Sequence, residues 1–310
     1  MTTNLAEALS DYLTLRRSMG FSLTRVGQQL SGYVAWLDQQ GIPAVTVDTT
    51  VAWARLSVAP VASGDRVSAV RGFAAYLHTI DPVHELIPPG LMPGHRQRAV
   101  PYLYSDTEVT TVMARAQYLK TPLRRATIAT AIGLLAVTGM RIGEVVGLED
   151  SDFDPAGALL TVRRAKLGKQ RLLPLHTTTV AALEDYRRLR DREFPNPVSA
   201  ALLVTGAGTP LTRHLIEATF RVLTSEAGLR PRSSRCRPRP HDLRHSFAVR
   251  TLLDWYRDDC DIDARMPSLS TYLGHVCPAN TYWYLTATPE LLAEAAHRLE
   301  THFADSGDPA

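Results

Sequence analysis

Apolar residues recur through the first part of the chain at the spacing of one helix face. Leu5, Ala8, Leu9, Tyr12 and Leu13 stand at relative positions 0, 3, 4, 7 and 8, which a helix brings to one side. Val26, Leu30, Tyr33, Val34 and Leu37 repeat the pattern, and Gly41-Ile42-Pro43 stops that helix. A shorter helix is predicted around Thr49–Leu56. A fourth covers Gly64–Ile80, with Val67, Val70, Phe73, Ala74 and Leu77 inward. No strand interrupts this series, so residues 1–87 read as a small all-α domain.

Residues 88–104 read as a linker. They open with Pro88-Pro89-Gly90, residues that do not sit inside a helix, and carry His95, Arg96 and Arg98, which suit a segment lying along DNA. Ser105-Asp106-Thr107-Glu108 has the form of a helix N-cap with its capping-box acid. A larger domain, residues 105–303, begins there and is followed by a polar tail, 304–310.

The larger domain is predicted to be mainly helical with a small sheet. An apolar helix over Ala126–Val137 stops near Gly139, and another starts at Arg141 and runs to Leu148. Ala158–Arg163 and Gln170–Leu175 read as strands joined through Leu167-Gly168-Lys169, a hairpin signal, and Ala201–Thr205 is a third strand candidate. Further helices are predicted over Thr177–Arg192, Thr212–Ala227, Asp242–Asp258 and Pro289–Phe303. The stretch Trp255–Arg265 reads as a long acidic connection.

Composition narrows the class. Hydrophobic residues make up 45% of the 310 and charged residues 21%, the balance of a globular protein large enough for two cores. No apolar run approaches the roughly 18–20 residues that span a bilayer, and the start of the chain lacks the pattern of a secretory signal. Three cysteines, Cys236, Cys260 and Cys277, have no CxxC spacing. They point to a reducing cytoplasm, with no disulfide frame and no zinc cluster. The net charge of +3 says little by itself, but its distribution says more. Arg163, Arg164, Lys166, Lys169 and Arg171 cluster without an acid among them, and Arg230, Arg232, Arg235, Arg237 and Arg239 lead into His241. Two basic clusters in an otherwise balanced chain suit a bound polyanion. Arg163, Arg164, Lys169, Arg171, Arg237 and Arg239 are the expected DNA-binding residues.

The candidate chemistry lies in His241-Asp242-Leu243-Arg244-His245, in Leu273-Gly274-His275, in Tyr284, and upstream in Thr138-Gly139-Met140-Arg141-Ile142-Gly143-Glu144. A phosphodiester resists attack because its oxygens are negative, and a catalyst without a metal ion must neutralise that charge as the phosphorus becomes five-coordinate. Arginine suits this task, since its planar fork binds two oxygens and keeps its charge. Arg141 and Arg244 are the candidates. Glu144, three residues after Arg141, shares its helix face and can orient it. His241, Arg244 and His245 fall at i, i+3 and i+4, one face of a helix starting at Pro240. Histidines can donate to phosphoryl oxygens or move protons. Lys166, with Lys169 as its rival, can protonate a leaving 5′ oxygen if neighbouring cations lower its pKa. Tyr284 is the expected nucleophile, activated by two arginines. Tyr282 competes with it, but two residues apart on a helix means nearly opposite faces, so only one of the two can reach the phosphate. A His-x-x-x-His pair can also be half a zinc site, but no third ligand is evident.

In order and spacing, these segments resemble the tyrosine recombinase (phage integrase) family. Arg141 lies in a Thr-Gly-x-Arg-x-x-Glu segment, Lys166 on a basic hairpin, His241 and Arg244 in a His-x-x-Arg-His box, and His275 in Leu-Gly-His. Tyr284 follows His275 by nine residues. The resemblance covers about residues 101–303. It departs from the family in the long acidic stretch before Leu-Gly-His and in Trp283 between two tyrosines. It implies a fold that is mainly α with a small β-sheet, pairing a helical, SAM-like core-binding domain with an α+β catalytic domain. The implied function is site-specific DNA recombination through a 3′-phosphotyrosyl intermediate that needs neither a metal nor a cofactor, with Arg141, Lys166, His241, Arg244, His275 and Tyr284 catalytic and Glu144 and His245 supporting. The implied partner is a double-stranded recombination site in the bacterial nucleoid. Also implied is a homotetramer, assembled by docking the last helix (Leu292, Ala295, Leu299, Phe303) onto a neighbouring protomer. A type IB topoisomerase-like enzyme and a non-catalytic DNA-binding relative are the alternatives.

Overall fold

Capping chemistry decides where most of the helices begin. The computed structural model describes residues 4–57, 60–92, 99–163, 170–258, 260–275 and 279–286, and beyond these Leu291, Ala293, Glu294 and Ala296. The chain divides into two compact units, Met1–Ala99 and Val100–Ala310.

The first unit holds helices α1 (Leu5–Ser18), α2 (Thr24–Gln39), α3 (Val47–Arg55) and α4 (Pro60–Ile80). Asn4 caps α1 by accepting from the amides of Ala6 and Glu7, and Thr46 and Thr49 form a reciprocal capping box on α3. The apolar stripes read from the sequence face one another. Leu30, Tyr33, Leu37, Phe73, Ala74 and Leu77 are fully buried, and the Tyr33 hydroxyl finds Thr49 at 2.9 Å. Helix α4 starts four residues earlier than expected, at Pro60, a residue that suits the first helical turn.

In the second unit, Ser105 and Glu108 form the expected capping box on α5 (Asp106–Arg115). Then follow α6 (Pro122–Thr138), α7 (Ile142–Val145), strands β1 (Phe153–Asp154), β2 (Leu159–Val162) and β3 (Arg171–Pro174), and helices α8 (Thr177–Glu193), α9 (Arg213–Glu226), α10 (Pro240–Arg257), α11 (Ile262–Leu273) and α12 (Ala279–Tyr282). The sheet is antiparallel in the order β1-β2-β3, with Leu160 opposite Leu173. Both of those leucines are fully buried. The observed class is mainly α with a small sheet.

Four expectations change. Residues 100–104 belong to the second unit and not to a linker, because Tyr102 and Tyr104 are buried in its core and the Tyr104 amide donates to Ser246 Oγ at 2.8 Å. Ala201–Thr205 is not a strand of the sheet. It makes isolated bridges to Glu149 and Pro210, and its carbonyls at Leu202 and Val204 accept from Arg190 and Thr127. The third strand is the two-residue β1, too short to show a period. The acidic connection gives way to α11, capped by Asp261, with Pro267 inside it. A proline in the interior removes a backbone donor, and so masks a helix from pattern reading. Of the final helix predicted over residues 289–303, Leu292, Ala295, Leu299 and Phe303 lie outside the described residues, as does the tail.

Candidate active site

Two helix ends and one helix start build the pocket. Helix α6 ends at Gly139 with φ +59°, and α11 ends at Gly274 with φ +66°. Both values are left-handed, where a side chain is strained. The space is closed as well: a Cβ on Gly139 would lie 2.6 Å from the Phe247 ring, and one on Gly274 would lie 2.9 Å from Arg171 Nη1. These tight ends turn backbone carbonyls inward at the negative poles of two helices.

The arginines use those carbonyls. Arg244, 2% exposed, donates from Nη1 to Gly139 O at 2.7 Å and from Nη2 to Leu273 O at 2.6 Å. Arg141 donates from Nη2 to Gly274 O at 2.9 Å, and from its amide and Nη1 to the two oxygens of Glu144, both at 2.8 Å. Consecutive carbonyls, Leu273 and Gly274, therefore hold the two guanidiniums side by side, and the next residue is His275. Its Nδ1 lies 2.6 Å from Thr281 Oγ1, and its ring stacks against Tyr284 at a centroid separation of 6.0 Å. The Tyr284 side chain also lies near enough to Arg244 to act on its charge.

Tyr284 is buried while Tyr282 is 44% exposed, the opposite-face outcome that a two-residue separation predicts. The Tyr284 ring packs on His245 at 5.4 Å and on Trp283 at 5.6 Å, and His245 meets His241 edge-on at 5.0 Å. His241 stands in the first turn of α10, directly after Pro240.

The electrostatics are those of a site built for an anion. Burial, then the charges of Arg244, Arg239, Arg141 and Arg213, push the His241 pKa down to about 4. Burial and the charge of Arg141 bring the Arg244 guanidinium down to about 10, while Tyr284 and Glu144 oppose that shift. Arg244 thus stays cationic at neutral pH and His241 is neutral. Burial raises the Glu144 pKa, but hydrogen bonds from Arg171 and the Arg141 amide, with the charges of both, overcome it and leave the carboxyl below its usual value. A phosphate placed here would relieve the mutual repulsion of the cations.

Arg141, Glu144, His241, Arg244, His245, His275 and Tyr284 therefore share one region. The expected DNA-binding residues are scattered. Arg171 is the clearest correction. Its side chain is 9% exposed and makes a two-armed pair with Glu144 at 3.1 and 2.8 Å, so it faces inward and not toward solvent. Arg239 is tied through Nε and Nη2 to the buried carboxyl of Asp242, with 41% of its side chain still open. Arg163 is half-exposed and pairs with Asp152. Arg237 is exposed. Arg164, Lys166 and Lys169 lie outside the described residues. Sequence reasoning passed over the carbonyls of Gly139, Leu273 and Gly274, although the two glycines flagged the turns. It also passed over Thr281 and the inward role of Arg171. Among the described residues no group of three His, Cys, Asp or Glu side chains is placed to hold a metal, and no helix is long and apolar enough to cross a membrane.

Comparison with known proteins places the chain in a family and a fold. Residues 103–290 match the model of the phage integrase family. The chain is 38% identical over 307 residues to y4rB of Sinorhizobium fredii strain NBRC 101917 / NGR234, provisionally named an integrase/recombinase, covering 96% of this chain and 98% of the relative. It is 27% identical over 300 residues to tyrosine recombinase XerD of Lacticaseibacillus casei, covering 93% and 95%. Among solved structures, the Tn1549 transposon integrase in complex with transposon right end DNA has a similar fold, with a TM-score of 0.64 at 17% identity over 95% of this chain and 98% of that one. So does lambda integrase, seen as a tetramer bound to a Holliday junction, with a TM-score of 0.62 at 14% identity over 91% and 77%.

Proposed function

Because the chain belongs to the phage integrase family, we infer that it is a site-specific DNA recombinase whose nucleophile is Tyr284. The observation that carries this reading is the convergence of Arg141 and Arg244 on neighbouring carbonyls beside the Tyr284 ring.

The geometry supports the following sequence. A scissile phosphate enters between the guanidiniums, whose free N–H groups bind its non-bridging oxygens. Neutral His241 adds a hydrogen bond to the same oxygens as charge builds there, and His275 adds another. Tyr284 Oη gives up its proton to an adjacent pocket imidazole as it attacks phosphorus in line, the bond to the 5′ oxygen breaks, and a 3′-phosphotyrosyl linkage forms. Lys166 gives its proton to the departing oxygen. A 5′-hydroxyl from a partner strand then attacks the phosphotyrosyl phosphorus and releases Tyr284. The linkage stores the bond energy, so the cycle calls for no nucleotide cofactor. Arg163, Arg237 and the open part of Arg239 contact the DNA backbone, and such contacts weaken steeply with salt.

Four protomers on two sites, joined through the last helix, form the working assembly in this reading. The tetrameric state of lambda integrase on a Holliday junction supports it. The tie of y4rB to an integrase/recombinase name and of the Tn1549 neighbour to transposon DNA supports a role in moving a genetic element within the bacterial cytoplasm.

The test starts from a pool of randomised, nicked duplexes. Wild-type protein should retain one sequence class covalently through denaturing electrophoresis, and peptide mapping should place the label on Tyr284. Tyr284→Phe should bind the selected duplex and form no adduct. A label on Tyr282 would overturn the assignment, and supercoil relaxation without any strand exchange would favour a topoisomerase.

A further inference from the structure

Glu144 is saturated. Its Oε1 accepts from Arg141 Nη1 at 2.8 Å and from Arg171 Nη1 at 3.1 Å, and its Oε2 accepts from the Arg141 amide and from Arg171 Nη2, both at 2.8 Å. Four donors fill the four lone-pair positions that an ionised carboxylate offers. Arg141 accounts for two of them. The other two come from Arg171, the first residue of β3, more than twenty positions away in sequence.

We infer that Arg171 is a positioning residue of the recombination reaction, holding Glu144 so that the carboxylate orients Arg141 without cancelling its charge. The inference rests on the recombinase reading of the pocket. Two facts carry it beyond an ordinary ion pair. The first is charge. One carboxylate facing Arg141 alone would make a neutral pair with little attraction left for a phosphate. With Arg171 in place, two positive groups share one negative group, and one positive charge remains. Arg171 is 9% exposed on its side chain while Arg141 is 33% exposed, so the open guanidinium is the one turned toward a substrate.

The second fact is location. The Arg171 guanidinium lies directly beneath Gly274. A Cβ there would approach its Cζ to 3.2 Å and its Nη1 to 2.9 Å. The carbonyl of Gly274 is the other support of Arg141. Arg171 thus binds one of the groups that fix Arg141 and packs closely against the residue that supplies the other, and it connects the sheet to the pocket. Lysine could supply the charge but not the fork, because one ammonium cannot reach both carboxylate oxygens in this planar arrangement.

The probe is the duplex selected from the randomised pool by the wild-type chain. Two forms are used, one with a normal scissile phosphate and one with a methylphosphonate there, which lacks the negative charge that Arg141 meets. Arg171→Met should slow cleavage of the normal duplex by about 10- to 100-fold, the scale of a misplaced group, and leave duplex affinity unchanged. On the methylphosphonate duplex the defect should vanish. Arg171→Lys keeps bulk and charge, so it addresses the same question if the methionine variant folds poorly, and it should cleave at an intermediate rate. In a Glu144→Gln background, adding Arg171→Met should cost little more, since the carboxylate through which it acts is gone. An equal defect on both duplexes, or fully additive losses in the double variant, would mean that Arg171 serves only the fold. Wild-type rates for Arg171→Met would also overturn the inference while leaving the recombinase reading intact. Absence of any wild-type adduct would remove both.

Discussion

The two units bury different kinds of side chain. In the N-terminal four-helix unit the fully buried residues are Leu30, Tyr33, Leu37, Val45, Ala54, Val70, Phe73, Ala74 and Leu77, with Thr50 and His84 as the fully buried polar groups. Around α10 the second unit buries Asp242, Arg244, His245 and Ser246 in one run, with Glu144 and Thr281 nearby. Burying a charge costs several kcal/mol unless it is paired and hydrogen-bonded. Among its described residues the first unit avoids that cost. The second meets it with helix-end carbonyls and matched ion pairs, and gains cations fixed in a place where water is scarce. In the first unit the buried residues serve stability, whereas around α10 buried residues such as Arg244 serve stability and chemistry together.

The largest effect that would test this contrast is at Arg244. Arg244→Met should lower adduct formation by about 10²–10³-fold, the usual consequence of losing a preorganised donor. It should also lower the unfolding free energy of the second unit by about 2–5 kcal/mol, because two buried carbonyls lose their partner. Arg244→Lys should recover most of the stability and little of the rate. If the lysine variant kept near-normal cleavage, the forked geometry would not matter.

Leu37→Ala is the counterpart in the first unit. Leu37 is fully buried among apolar neighbours, so the truncation should cost about 2–5 kcal/mol. The rate of the chemical step in molecules that remain folded and bound to a saturating duplex should be unchanged. A slowed chemical step would show that the division of labour fails.

The same contrast explains what pattern reading could see. The first unit was legible because its information is periodic, with apolar residues at helical spacing. In the second unit the side chains at His241, Arg244, His275 and Tyr284 were visible through their order and spacing, and the structure brings them into one region. Three kinds of feature stayed hidden. Helix α11 lacks a clean signal because Pro267 and the surrounding acids look like a loop. The partner of Glu144 is hidden for a different reason. Arg171 stands in a basic cluster, and nothing in a linear sequence separates an arginine that points to solvent from one that folds under Gly274. Backbone carbonyls are equally invisible, since every residue has one and only the left-handed turns at Gly139 and Gly274 aim them.

The smallest predicted effect concerns His241 and turns on pH. Its pKa is about 4 in the folded protein, lowered by burial and by four arginines, against about 6.5 in an unfolded chain. Between these values the unfolded state binds a proton that the folded state does not. Stability from this group is therefore complete above about pH 6.5 and is lost as the pH falls toward 4. His241 is solvent-exposed at the mouth of the pocket although it lies among dense neighbours, so solvent screening makes the effect modest. His241→Gln should flatten the acid side of the stability profile in that window and leave the alkaline side unchanged, as read by thermal unfolding at a series of pH values. Bound duplex should have a similar consequence in the wild type, because a phosphate among the same arginines offsets their repulsion of a protonated imidazole. An acid profile that neither the substitution nor the duplex alters would mean that the arginines do not act on His241 as a group, and the picture of a preassembled anion site would lose its electrostatic support.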